Sequence, residues 1–163
     1  MGFPFKEIND ILEDVHQEFD NINRGGCGAM AAMLAFQMQK IADEVKIVTC
    51  GGHGNIDEVR PNIRYNSMHE WARRGVQFYH VWVEFKWNNR WYAIDSEGIK
   101  TRRMQYRLWH KPQPGSFTLN EMRSLARGGG WNWLFNRDQL HWMRPMISRR
   151  FNKLLETIEF SYI

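Results

Sequence analysis

The chain has 163 residues, 43% of them apolar and 25% charged, the balance of a globular protein long enough to bury a real core. No apolar run approaches the ~18 residues of a membrane-spanning helix, and two cysteines do not make a disulfide framework. The net charge of +4 conceals two halves of opposite sign: residues 1–99 carry 10 Lys/Arg against 14 Asp/Glu, and residues 100–163 carry 12 against 4.

Residues 4–22 read as an amphipathic helix, with Ile8, Ile11, Leu12, Val15, Phe19 and Ile22 at helical spacing and the acidic residues largely off that stripe. The turn Asn23-Arg24-Gly25-Gly26 then delivers Cys27 to a second helical pattern over residues 27–44. There Met30, Met33, Leu34, Met38 and Ile41 recur, and the alanines between them permit close packing against a sheet. A helix N-terminus favours thiolate through its dipole and free N–H groups, which makes Cys27 the candidate nucleophile. Residues 45–50 predict a short strand ending at Gly51-Gly52-His53-Gly54. Cys50 and His53 have a Cys-x-x-His spacing but no second pair nearby, so they read as a strand end and loop, and no metal is expected. Residues 65–74 predict a short helix with Met68, Trp71 and Ala72 inward and His69 on the surface, stopped by Gly75.

Two strands follow, Tyr79-His80-Val81-Trp82-Val83-Glu84-Phe85 and Trp91-Tyr92-Ala93-Ile94-Asp95, separated by Trp87-Asn88-Asn89-Arg90. A two-residue Asn88-Asn89 loop sets Trp87 opposite Arg90. Continued, that register places His80 opposite Glu97, with Asp95 its diagonal neighbour on the same face, within reach of an imidazole and a carboxylate turned toward each other. A three-residue loop would put His80 and Asp95 on opposite faces, so the pairing depends on the turn. Trp82 and Glu84 share the face of His80.

Beyond Gly98 the sequence is basic and reads as irregular: Lys100, Arg102, Arg103, Arg107, His110 and Lys111, then Pro112 and Pro114. Thr118-x-x-Glu121 is a capping box opening a helix that stops at Gly128, and Gly128-Gly129-Gly130-Trp131-Asn132-Trp133 reads as a loop with Trp anchors or a flexible lip. A last helix is predicted from about Pro145, with Ile147, Phe151, Leu154, Leu155 and Ile158 inward. The basic half suits an anionic partner, or the acidic half of its own chain.

Gly26-Cys27 before a helix, His80-x-Trp82-x-Glu84, and Trp91-x-x-x-Asp95-x-x-Gly98 together resemble the transglutaminase-like superfamily of cysteine enzymes, a group with a papain-like fold. The resemblance covers roughly residues 20–98 and departs from the family pattern at Gly28-Ala29 and Ser96-Glu97. It implies an α+β fold, in which the Cys27 helix packs on a small antiparallel sheet carrying His80 and Asp95. Residues 99–163 would be a basic helical extension of the same single domain, 1–163. It also implies a Cys27–His80–Asp95 triad for acyl transfer without a cofactor, acting on a protein or peptide. An upstream side-chain amide would join the Cys27 N–H in binding the oxyanion, the candidates being Asn21, Asn23 and Gln17. The two Asn residues equally suit turn and cap roles. Trp82, Glu84 and Glu97 would be supporting residues, with Glu97 a rival to Asp95 as the partner of His80.

Hydrolysis of an amide or isopeptide bond needs the fewest additional parts. Transamidation or deamidation by a protein transglutaminase uses the same triad, and coenzyme-A-dependent acetyl transfer is a more distant possibility. A different class, a binding module without turnover, would use the basic, Trp-rich C-terminal half to hold nucleic acid or protein. The N-terminus shows no signal-peptide pattern, so the expected compartment is the cytoplasm, with no membrane association.

Overall fold

The computed structural model describes residues 2–19, 27–53, 77–109, 113–114 and 137–161. Helix α1 spans Phe5–Glu18 and buries Ile8, Ile11, Leu12 and Val15, the stripe its periodicity marks out. The helix stops before Phe19, whose extended backbone still leaves its ring buried and its N–H on the Val15 carbonyl. Ile22 lies outside the described residues.

Helix α2, Cys27–Met38, is apolar around most of its circumference, with Met30, Ala31, Ala32, Met33, Leu34, Ala35 and Met38 all buried. Such a helix belongs in the interior. It ends six residues before the predicted 44. Tight backbone bonds from Lys40 to Gln37 and from Ile41 and Ala42 to Met38 turn the chain, and the Asp43 N–H already reaches the Lys86 carbonyl in the sheet.

Four strands follow: β1, Glu44–His53; β2, Gln77–Trp87; β3, Arg90–Asp95; and β4, Gly98–Thr101. Strand β1 runs through Gly51 and Gly52 instead of ending there, because β2 continues as its partner, Gly52 opposite Phe78 and His53 opposite Gln77. A seven-residue helix α3, Arg102–Leu108, comes next, where the sequence had suggested irregular chain. The Thr101 hydroxyl caps it, accepting from the Met104 N–H at 3.2 Å. The two-residue β5, Gln113–Pro114, and the long helix α4, Arg137–Ser161, complete the described elements.

Sheet order is β4-β3-β2-β1-β5, and every adjacent pair is antiparallel. The fold is therefore mixed α and β with an antiparallel sheet. Pro145 sits inside α4 and not near its start: Met143, Ile147 and Phe151, four residues apart, are all buried and hold the helix to the core on both sides of the proline. The helices predicted over 65–74 and 118–128, and the Trp131 and Trp133 loop, lie outside the described residues.

The two sheet faces differ. Val81, Val83, Phe85, Ile94 and Ile47 pack against α1, α2 and α4 in the main core. On the reverse face Val48, Trp82 and Ala93 form a smaller cluster with Tyr106 of α3 and with Trp109 just after it. Among the described residues four ion pairs run between the acidic and basic halves, Asp14–Arg150 at 2.6 Å, Glu84–Arg102 at 2.9 Å, Glu97–Lys100 at 3.6 Å and Asp95–Lys100 at 3.9 Å. Part of the basic half thus neutralises its own chain.

Candidate active site

The site is built on the β2–β3 hairpin. Asn88 and Asn89 both take positive φ, 51° and 60°, the pair of left-handed conformations that a two-residue type I′ turn requires. Asn tolerates that region better than most residues with a Cβ. Trp87 then stands opposite Arg90, Glu84 opposite Ala93 and Val83 opposite Ile94, the expected register. Alternation carries His80, Trp82 and Glu84 to the face shared by Ala93 and Asp95, the one covered by α3.

There His80 Nε2 meets Asp95 Oδ2 at 2.8 Å, with His80 only 4% and Asp95 5% exposed. An ionised carboxylate only accepts, so Nε2 carries the proton of this bond. The ring stacks on Trp109 at 4.4 Å between centroids and lies 5.7 Å from Trp82, which fixes its plane. Asp95 is held from several sides. Oδ2 also accepts from the Gln105 amide at 3.0 Å, Oδ1 accepts from the Glu97 N–H at 2.9 Å, and Lys100 Nζ lies 3.9 Å from Oδ1. Burial pushes the Asp95 carboxyl up, but the His80 hydrogen bond and charge, the Gln105 amide and the Lys100 charge outweigh it. The net effect holds the carboxyl below its ordinary range.

Glu97 does not take the place of Asp95 as partner of His80: it contributes its backbone N–H to Asp95 and turns its carboxylate toward Lys100. Glu84 is fully buried and supports α3, with Oε1 accepting from both Nε and Nη2 of Arg102 at 2.9 Å. Beside it, burial and the Glu84 carboxylate push the Tyr106 phenol up to about 12. Trp82, fully buried, packs between His80 and Tyr106.

Cys27 is the first residue of α2, but its side chain lies outside the described residues, as do Asn21 and Asn23. Because α2 returns through a five-residue connection into β1, the two run antiparallel. Twelve helical residues rise about 18 Å and the strand from Glu44 to Cys50 about 20 Å, so the two elements are of similar length. Helix α2 packs on the face opposite His80, and any approach of Cys27 to the imidazole runs round the end of the sheet. Cys50 stands directly opposite His80 in the β1–β2 ladder, a neighbourhood that the strand and loop reading of Cys50 missed. Gln17 is exposed on α1 in a surface groove with Asp14, Glu18, Met146 and Arg150, in the helical layer and away from the His80–Asp95 pair. Among the described residues no group of three or more His, Cys, Asp or Glu is arranged to hold a metal ion. None of the described helices is long and apolar enough to cross a membrane.

Sequence reasoning missed Gln105 and Trp109. The signal was the spacing Arg102, Gln105, Tyr106, Trp109, one face of a helix over two turns, all four of whose residues reach the sheet. Compared with protein-family models, curated proteins and solved structures, the chain matches none.

Proposed function

We propose that the protein is a thiol-dependent acyl-transfer enzyme that hydrolyses an amide or isopeptide bond in a protein or peptide, in the cytoplasm, through Cys27, His80 and Asp95. The observation that carries this reading is the buried 2.8 Å bond from His80 Nε2 to an ionised Asp95. In this reading the other ring nitrogen takes the thiol proton while Asp95 stabilises the imidazolium formed. The Cys27 thiolate attacks the carbonyl carbon, and the oxyanion is met by the Cys27 N–H with Asn21 or Asn23 as second donor. Imidazolium then protonates the departing amine, and water attacks the thioester to release the acid and restore the thiol. An amine in place of that water gives transamidation.

One observation favours a second reading, a binding module in which the pair is only structural: His80 lies across the sheet from the body of α2. One experiment separates the two, labelling with an electrophilic peptide that mimics the acyl donor, followed by mass mapping of both cysteines. Catalysis predicts modification of Cys27, abolished in Cys27→Ala and strongly slowed in Asp95→Asn. Modification of Cys50 alone moves the nucleophile to β1, and slow, equal modification of both cysteines removes the enzyme reading.

A further inference from the structure

Gln105 is 1% exposed, yet a residue needed only to fill space there would be apolar. Burying a side-chain amide is costly unless it is hydrogen-bonded, and this one is bonded to Asp95 Oδ2, the same oxygen that His80 uses. Since an ionised Asp95 offers only acceptors, the amide nitrogen must be the atom facing it. We infer that Gln105 is a positioning residue, whose amide fixes the Asp95 carboxylate so that it orients His80. For its effect on rate this rests on the acyl-transfer reading, while its effect on the imidazole does not.

The carboxylate is gripped at both ends, by the Glu97 N–H on Oδ1 and by Gln105 on Oδ2, so neither oxygen is free to swing away from the ring. A neutral donor suits this position. A second cation, on Oδ2 beside the Lys100 charge 3.9 Å from Oδ1, would offset the charge that steadies the imidazolium, whereas an amide aligns the carboxylate without adding to that offset. Helix α3 is anchored to deliver it: Thr101 caps the first turn, Arg102 reaches Glu84 one turn before Gln105, and Trp109 one turn after it stacks on His80. Among the described residues, the titratable and charged groups around the bond are His80 and Glu84 from β2, Asp95 from β3, Glu97 from the turn, Lys100 from β4, and Arg102 and Tyr106 from α3, with Cys50 of β1 at the register position opposite His80.

The test uses the full chain with Gln105→Leu and Gln105→Glu, and two readouts. One is the NMR titration of the His80 imidazole, identified by the signal missing from His80→Gln; the other is the pH profile of turnover of an acyl donor. Leucine keeps the bulk and removes the donor, so Oδ2 becomes more basic and the His80 midpoint moves upward. Turnover falls about 10- to 100-fold, the scale of a hydrogen bond to a charged group. In Gln105→Glu the two neighbouring carboxyls share one proton and so restore a donor. This variant keeps the wild-type rate at low pH, where the shared proton is in place, and loses it as pH rises and that proton leaves; the negative charge then added beside Asp95 moves the His80 midpoint above the wild-type value. It also keeps the test informative should Gln105→Leu fail to fold. Wild-type titration and wild-type rates in both variants overturn the inference, as does an equal loss in Gln105→Glu at every pH. Absence of turnover in the wild type sinks the acyl-transfer reading alone, because the imidazole titration still reports on Gln105.

Discussion

Replacing Arg102 by Ala isolates the ion pair beneath α3. Glu84 is 0% exposed, and both bonds it accepts from Arg102 would go. Removing one partner of a buried ion pair leaves the other charge uncompensated and costs about 3–5 kcal/mol. The Arg102 side chain is itself 32% exposed, so water would enter where it leaves, and the lower end of that range applies. A further ~0.5 kcal/mol goes with its stacking on Trp91, where the guanidinium carbon sits 4.7 Å from the ring centre. The expected total is about 3.5 kcal/mol, a fall in Tm of roughly 7–14 °C for a chain of this size. Arg103, the adjacent and exposed residue, is the control: Arg103→Ala should stay within about 0.5 kcal/mol. Replacing both partners, Glu84→Met with Arg102→Met, should recover most of the loss by removing the stranded charge along with its counter-ion. Thermal and urea melts of these three variants beside the wild type read the differences. Arg102→Ala melting with the wild type would refute the reasoning and return Arg102 to the pool of basic residues able to meet an external partner.

Cys27→Ala should keep the wild-type Tm and eliminate turnover, read by melting and single-turnover assay; retained turnover excludes Cys27 as the nucleophile. Asp95 has a folded-state carboxyl held below its unfolded value of about 3.9, so the unfolded chain binds the proton first, and stability declines as pH falls below about 4 toward the folded value. Urea titrations should show that acid decline flattened in Asp95→Asn, and an unchanged slope would contradict the ionisation argument. At the hairpin turn, Asn89→Ala should cost about 1 kcal/mol because φ is 60° there, while Asn89→Gly should be neutral or stabilising in the same melts.

The β2–β3 hairpin was legible because two local signals agreed: alternation fixed which residues share a face, and the Asn88-Asn89 loop fixed the register between the strands. The His80–Asp95 contact then followed from counting. Helix α3 was hidden for a physical reason. Its anchors to the sheet include Arg102 and Gln105, polar side chains that meet buried carboxylates, and a search for apolar periodicity does not register them. The end of α2 was missed because Ile41 prolongs the apolar rhythm while a tertiary bond, Asp43 to Lys86, draws the chain into the sheet. Pro145 suggested a helix start by its preference for a first turn, but Met143 is buried on the other side of it and holds the helix through the proline. No local pattern could tell which sheet face α2 would cover, since that depends on how the strands and the three helices pack together.

The outer edge of β4 has a consequence for how this protein behaves in a crowded solution. An edge strand normally offers its outward N–H groups to any extended chain that drifts by, and sheets grow from one molecule to the next along such edges. Here the Ile99 N–H is already taken by the Asn9 side chain of α1 at 2.8 Å. The approach is close because the neighbouring Gly98 has no Cβ, which would otherwise sit 3.0 Å from the Asn9 oxygen. A short strand whose donor is consumed by the chain's own first helix is a poor template for intermolecular strand addition. Asn9 thus occupies an outward donor of β4 that would otherwise be open to another strand, and Gly98 makes room for it.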